Sequence, residues 1–416
     1  MKLNQGAGKT KLLFLFITGF VVLSCATYQT KVSKSRDFLK QGNIQQALEE
    51  LKPLAEKQDD DQLVYLLDYA MALQIAGQFK ESSEYFNRAD KLAEMQDYHS
   101  VSKVALATLT SEEMIQYKGE SYEKILLNAF SALSYLMAGQ HDDAMVEVRR
   151  VTEKINKIRL DGRKDYEQNP FAHYLAGLIW ESDRKFDDAF ISFSDSYKLD
   201  KTNPMIVQDL LRSAKLAQRP DAYAKIKSEH PGVPEDTRAY DKSNGELIMV
   251  FQQGWGPEKK FSPADRRFPV LQPVYSSTDS ANLKVNGGAP VRSQTVYDVE
   301  RVSVKTLHDD YAWMAARKIG AFAAKEIVAD QIRQKNEALG LLAWVTMHVS
   351  DRADLRQWST LPKTVQIARL WLKPGNYKVD VEGLDSSGQA SGENWLDINI
   401  SIKSSKKSFL NIRSLK

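Results

Sequence analysis

The chain of 416 residues contains a single cysteine, Cys25. One cysteine excludes an internal disulfide framework and any zinc site built on several thiolates. Charge of one sign is also scarce: 57 basic residues face 54 acidic ones, a net charge of +3. Over this length that balance gives no reason to expect nucleic acid as a partner. Proline is sparse in the first half, where only Pro53 and Pro170 precede Pro204. The low-polarity run Leu12–Leu23 is shorter than the roughly 20 residues a membrane-spanning helix needs. Hydrophobic residues make up 43% of the chain, enough for sizeable cores, and the length predicts two or three domains.

Catalytic and metal-binding patterns are missing as well. The histidines at 99, 141, 173, 230, 308 and 348 form neither H-x-H nor H-E-x-x-H. His141-Asp142-Asp143 and His308-Asp309-Asp310 read as solvated charged faces rather than cation sites. No G-x-S-x-G elbow is present, and Ser100–Lys103 fits S-x-x-K without the partner motifs that chemistry requires. Gly6–Thr10 (GAGKT) looks like the end of a phosphate-binding loop. The first glycine of that motif would fall on Leu3, however, and no strand can precede it. The expectation is therefore a non-enzyme with no catalytic residues, no cofactor and no metal.

What the amino terminus has is an export pattern. Lys2, Lys9 and Lys11 precede the apolar run Leu12–Leu23, and Ser24 precedes Cys25. Val22-Leu23-Ser24-Cys25 resembles the lipobox of bacterial lipoproteins. The resemblance implies removal of residues 1–24 and acylation of Cys25 on its sulfur and amine. It also implies a lipid anchor, since several acyl chains hold a protein stably on a bilayer. Ala26 at the following position, by the sorting rule of Gram-negative enterics, implies the periplasmic face of the outer membrane. Loss of three lysines and no acid brings the remaining side-chain charge to zero.

Residues 25–230 show helical periodicity and a recurring phrase: a turn residue, an apolar residue, a small residue and a bulky one four further on. It reads Gly42-Asn43-Ile44 with Ala47 and Leu51, then Gly77-Gln78-Phe79 with Ser82 and Phe86. It recurs as Gly139-Gln140-His141 with Ala144 and Val148, and as Arg184-Lys185-Phe186 with Ala189 and Phe193. Gly177 and Trp180 take the small and aromatic positions of the helix before the last copy. The phrase resembles the tetratricopeptide repeat, a helix pair of about 34 residues in which a small residue lets two helices approach. The units fall at about 28–61, 63–96, 125–158 and 170–203, with a fifth pair over 205–229 and an extra helix or insertion over 97–124. Such a solenoid implies a groove that takes protein segments. Tyr65, Tyr69, Tyr135 and Tyr174 have two roles open to them, lining that groove or packing between repeats.

A polar, turn-rich linker covers 231–245, and a domain of mixed composition covers 246–416. Glu246–Phe251 reads as a buried strand, followed by short extended segments over 269–275, 281–286 and 293–299. Tyr311, Met314, Ala315, Ile319, Phe322, Ala323 and Ile327 form one apolar stripe at helical spacing, and a second apolar helix runs over 336–349. Strands return at Val365–Leu372, Tyr377–Val381, Leu396–Ile402 and Phe409–Arg413, with Pro374-Gly375 reading as a hairpin turn. The fold class is thus an α-helical repeat region followed by an α+β domain with an antiparallel sheet or small sandwich. Trp255, in Gly254-Trp-Gly-Pro257, reads as a loop residue, either an exposed platform for glycan or protein, or a loop anchor. Asp351–Trp358 reads as an ion-pair cluster holding helix to sheet or as a recognition loop.

The carboxy-terminal phrases Trp358–Pro362, Gln366–Arg369, Leu372–Tyr377 and Lys407–Arg413 resemble a poorly characterised family of Gram-negative outer-membrane lipoproteins with amino-terminal repeats. That resemblance implies a periplasmic scaffold for other envelope proteins, with peptidoglycan as an alternative partner and an accessory role in cell-wall synthesis as an alternative task.

Overall fold

The computed structural model describes residues 28–98, 116–160, 169–349 and 352–416. Cys25 and the export segment lie outside the described residues, as does most of the expected insertion.

Among the described residues of the first half there are five helix pairs: α1 (Tyr28–Lys40) with α2 (Ile44–Glu56), α3 (Gln62–Ile75) with α4 (Phe79–Tyr98), α5 (Ser121–Met137) with α6 (His141–Leu160), α7 (Pro170–Ser182) with α8 (Phe186–Leu199), and α9 (Pro204–Leu216) with α10 (Pro220–Glu229). The turns inside the pairs share one backbone device. Gly42, Gly77 and Gly139 have φ of 78°, 74° and 74°, and the fourth and fifth pairs place Arg184 and Gln218 in the same left-handed region at 61° and 53°. Helix starts are fixed locally. Asn169 accepts from Ala172 N–H with Pro170 at the first helical position, and Asn203 accepts from Met205 and Ile206 with Pro204 in that place. Gly177 is a packing requirement, since a Cβ there would lie 2.8 Å from the Phe193 ring.

Two sheets follow. The inner sheet has the order β10-β1-β7-β6, from β1 (Gly245–Gln253), β6 (Gln294–Asp298), β7 (Thr364–Leu372) and β10 (Lys407–Arg413). The outer sheet has the order β5-β4-β8-β9, from β4 (Ser280–Val285), β5 (Val291–Arg292), β8 (Gly375–Leu384) and β9 (Ala390–Ile402). A ribbon of β2 (Glu258–Phe261) and β3 (Pro269–Gln272) stands beside them. Between β6 and β7 the chain makes a helical hairpin, α11 (Val299–Lys335) and α12 (Glu337–Val349).

Two details differ from the sequence reading. The inner sheet is mixed, because β10 runs parallel to β1 while β7 runs antiparallel to it. Pro374-Gly375 is not a hairpin turn: it carries the chain from the inner sheet to the outer one, and β8 pairs with β4 and β9. Pro374 has no N–H to give to a ladder, so a crossing between sheets suits it better than a strand pairing.

The run at β1 is apolar without alternation because both of its faces are buried, and all nine residues are inaccessible. Leu247, Met249 and Phe251 face the outer sheet in a core with Leu283, Val379, Val381 and Ile412. Ile248 and Val250 face the helices in the main core, with Val365, Ile367 and Trp358. The order of layers is therefore outer helices, inner helices, inner sheet, outer sheet. Inner helices α3 and α5 show the consequence. Twelve consecutive residues of α3 (Leu63–Gln74) and fourteen of α5 (Tyr122 and Glu123, then Ile125–Leu136, with only Lys124 between) are covered. The outer helices α2 and α8 bury four residues each. A helix apolar all round is one covered on both sides, whereas a single stripe marks a surface helix.

Candidate interaction site

The inner face of the helix row is where the sequence placed a protein-binding groove. The chain's own sheet domain fills it, and three zones hold it there.

In the first zone the segment before β7 enters between inner helices. Trp358 is 1% exposed, packed edge-on against Phe86 and Phe130 with ring centroids 5.8 and 5.9 Å away. Its backbone N–H donates to Glu123 Oε1 at 2.8 Å, and its indole N–H donates to Thr360. Asp68, buried on α3, accepts from Thr360 N–H and hydroxyl at 2.9 Å, from Ser359 at 3.0 Å and from Tyr28 at 2.6 Å. Burial raises the Asp68 carboxyl above its ordinary range against the pull of those donors. Burial likewise raises Glu123, and Glu120 adds to the shift. Arg356 anchors the same segment through Asp354 at 2.8 Å and Asp61 of α3's cap at 3.0 Å. The charged stretch before Trp358 is thus an ion-pair anchor.

In the second zone Gln252 of β1 donates to Gln74 Oε1 at 2.7 Å and to Asn411 of β10 at 2.8 Å. Gln74 in turn donates to Ser134 of α5 at 2.7 Å. These amides sit opposite each other in an otherwise apolar layer and pass hydrogen bonds from one to the next, with Gln252 Oε1 left without a partner.

The third zone is a buried cluster of three cations and three anions across the same interface. Arg212 donates twice to Glu181 at 2.8 Å and also pairs with Asp209. Arg369 of β7 bridges Asp209 and Glu246, and Lys407 of β10 bridges Glu246 and Glu181, the latter at 3.1 Å. Burial works to raise the Glu181 carboxyl, but Arg212 and Lys407 outweigh it and hold it well below the usual range. A cavity of about 260 Å³ lies beside this cluster, lined by Arg212, Arg369, Trp371, Tyr240 and Glu235 among others.

The predicted site residues fall into this framework as packing groups. Tyr65, Tyr69 and Tyr174 are buried in the main core, and Tyr135 is 9% exposed. Tyr65 lies 5.5 Å from the Tyr28 ring, and Tyr69 packs edge-on against Tyr85. Tyr135 accepts from Asn87. Tyr174 donates to Asp209 and accepts from Arg369 at 3.0 Å. None is free to line an open groove, because the inner helices that carry them are covered on both sides. Of the two roles open to Trp255, it takes the loop anchor. Its ring is 1% exposed, with Arg36, Lys40 and Arg413 at 5.2, 5.6 and 5.4 Å from its centroid, and its N–H donates to Leu415 O. It anchors the carboxy terminus to α1 and offers no face to a sugar. Trp358, Arg369, Glu246 and Lys407 carry the interface; the sequence named Trp358 only as the end of the charged stretch Asp351–Trp358, and did not mark the other three as a site. The only signal was charge inside strands otherwise rich in apolar residues.

Among the described residues no cluster of three or more His, Cys, Asp or Glu side chains is placed to hold a metal ion. Apart from Tyr275, Val304 and Leu396, the exposed large apolar side chains among the described residues fall into two sets. Met95, Val146 and Ile191 stand on the outer helices α4, α6 and α8. A second set (Ile319, Phe322, Ile327, Leu339, Leu341 and Leu342) stands on the α11–α12 hairpin. The apolar stripe read on α11 is therefore in large part exposed.

No protein-family model matches the chain, and no curated protein matches it in sequence. Similar solved structures include a double mutant of MamA RS-1, at 16% identity and a TM-score of 0.34, covering 50% of this chain and 93% of that one. They also include MamA 41-end from Desulfovibrio magneticus RS-1, at 17% identity and a TM-score of 0.33, covering 48% of this chain and 89% of that one. A Podosopora anserina protein of nearly identical TPR-like repeats is similar at 14% identity and a TM-score of 0.34, covering 49% of this chain and 93% of that one.

Proposed function

We propose that the chain is an outer-membrane lipoprotein tethered through acylated Cys25 on the periplasmic face, acting as a non-enzymatic scaffold for other envelope proteins. The observation that carries the scaffold reading is the sealed inner face. With α3, α5, α7 and α9 covered on both sides, the helix row serves as a rigid mount, and protein partners meet its outer helices. Met95, Val146 and Ile191 mark the apolar points of that surface. The recurring helix-pair phrase supports a protein-binding role, and the lipobox-like segment supports the tether. Peptidoglycan recognition through Trp255 is not favoured, since the ring is enclosed.

A photo-activated cross-linking residue placed at Val146 or Ile191 in intact cells tests the reading. Discrete adducts with envelope proteins at these positions are expected. Adducts nowhere on the outer helices, in a protein still located to the membrane, would remove the scaffold assignment. A Cys25→Ser protein that fractionates with the outer membrane as before would remove the tether.

A further inference from the structure

We propose that the α11–α12 hairpin is a second membrane contact, an arm that lies in the interfacial layer of the same bilayer that takes the amino-terminal anchor. The inference goes beyond the scaffold reading and rests in part on the membrane-directed amino terminus, Leu12–Leu23 with Cys25.

Both helices of the arm expose apolar side chains, on α11 in a sequence that also carries Lys318, Lys325, Glu326 and Asp330. α11 has 37 residues, about 55 Å at 1.5 Å per residue, and only its beginning is built into the body. Val299 and Val302 sit in the main core, and Tyr311 is tied to the ribbon: its hydroxyl donates to Pro269 O and its ring stacks on Phe268 at 6.0 Å. Beyond Tyr311, Ile319 is 72% exposed and Ile327 60% exposed. α12 folds back on α11, with Gly340 against the Arg333 backbone and the Trp344 N–H donating to Glu326 at 2.6 Å. In α12 Glu337 is the only charged residue, yet Leu339, Leu341 and Leu342 are all more than half exposed. At 100° per residue Leu339 and Leu342 lie about 60° apart and Leu341 about 100° beyond Leu342, so the three share one broad apolar side of the helix, the kind of face an interfacial helix turns to the acyl layer.

Placement selects a bilayer over other apolar surroundings. The hydroxyl of Tyr28, three residues after Cys25, lies 2.6 Å from both Asp68 and Gln357 O and shares its one proton between them, and Gln29 donates to Lys259 O of β2. β2 pairs with β3, whose Pro269 carbonyl receives Tyr311. The first described residues and the root of the arm are thus two sides of one two-stranded ribbon. Three residues of chain reach about 10 Å, so acyl chains on Cys25 enter the bilayer beside the arm's root. No helix among the described residues is long and apolar enough to cross a membrane. The arm's tip, Arg333-Gln334-Lys335-Asn336-Glu337, is polar and exposed. An arm with no stretch apolar enough to span, and polar at its end, lies along the interface instead of plunging through it.

The test uses the native cysteine inventory. With Cys25 acylated, a cysteine introduced by Ile319→Cys, Ile327→Cys or Leu341→Cys is the only free thiol, and Leu396→Cys on the outer sheet is the control. Each full-length lipidated variant is labelled with an environment-sensitive fluorophore and reconstituted in vesicles of phosphatidylethanolamine and phosphatidylglycerol carrying a quencher in the acyl region. A blue shift and loss of most of the emission at 319, 327 and 341, but not at 396, is expected. Emission at all three arm positions that matches 396 in vesicle-bound protein overturns the proposal and leaves the anchor intact. Cross-links between arms of two copies with unquenched emission also overturn it, assigning the face to a second copy. The same labels in Cys25→Ser protein separate the two claims: quenching retained without acylation supports the arm on its own.

Discussion

Replacing Trp358 with alanine probes the seam between the helix row and the sheet at its most buried point. The indole is 1% exposed and touches Phe86 of α4 and Phe130 of α5. Burial of an aromatic of this size removes about 150–250 Å² from water, which at about 25 cal/mol per Å² is about 4–6 kcal/mol. Denatured-state compactness trims such figures by roughly 10–40%. Two edge-on aromatic contacts restore about 0.5–1.5 kcal/mol each. Large-to-small core substitutions of aromatics cost about 3–5 kcal/mol, and the tight surroundings of Trp358 place it near the upper end. A loss of about 4 kcal/mol is thus expected, close to a thousandfold in the unfolding equilibrium constant. The assay is urea unfolding followed by far-ultraviolet circular dichroism, with Trp358→Phe as a control that keeps the aromatic packing but loses the hydrogen bond to Thr360. Trp358→Phe is expected to lose about half as much or less. A Trp358→Ala protein within about 1 kcal/mol of the wild type would refute the reasoning, since it would mean the indole does not join the layers.

Arg369→Met leaves Asp209 and Glu246 buried without their shared cation, and a loss of about 3–5 kcal/mol in urea unfolding is expected; a neutral result would show that Arg212 and Lys407 suffice. Gly177→Ala pushes a Cβ to 2.8 Å from the Phe193 ring and is expected to cost about 1–3 kcal/mol, read as a lowered melting temperature. The pH dependence follows from Asp68. Its folded-state pKa is raised, so its contribution is fully present below the ordinary carboxylate range and is lost as pH rises through the raised value. Glu56 and Glu235, both held down at about 2, act oppositely: their contribution stands above the ordinary range and is lost as pH falls toward 2. Asp68→Asn removes only the first effect. The stability gap between wild type and Asp68→Asn should therefore be wider at pH 4 than at pH 7, and a gap that widens with pH would contradict the assignment.

Local features were legible in the sequence. The left-handed glycines at 42, 77 and 139 announced their turns, and Arg184 held the same place in the fourth copy because the repeat phrase around it survived. The apolar run at β1 announced a strand buried on two faces. Contacts between distant segments were not legible. Trp358 meets Phe86 and Phe130 across more than two hundred residues, and the ion cluster joins Glu181, Arg212, Arg369 and Lys407 from four separate elements. No local periodicity encodes such pairings. The tyrosines of the inner helices illustrate the limit: their helical spacing is the same whether the face they share is open or covered, and only the position of the sheet decides it.

Hydrogen–deuterium exchange, resolved by peptide across the intact protein, tests the sealed inner face most directly. If the helix row and sheet form one layered body, amides of α3, α5 and α7 exchange with the same opening free energy as those of β1, and both lose protection together in Trp358→Ala. Inner helices that exchange freely while β1 stays protected would show an open groove and contradict the account.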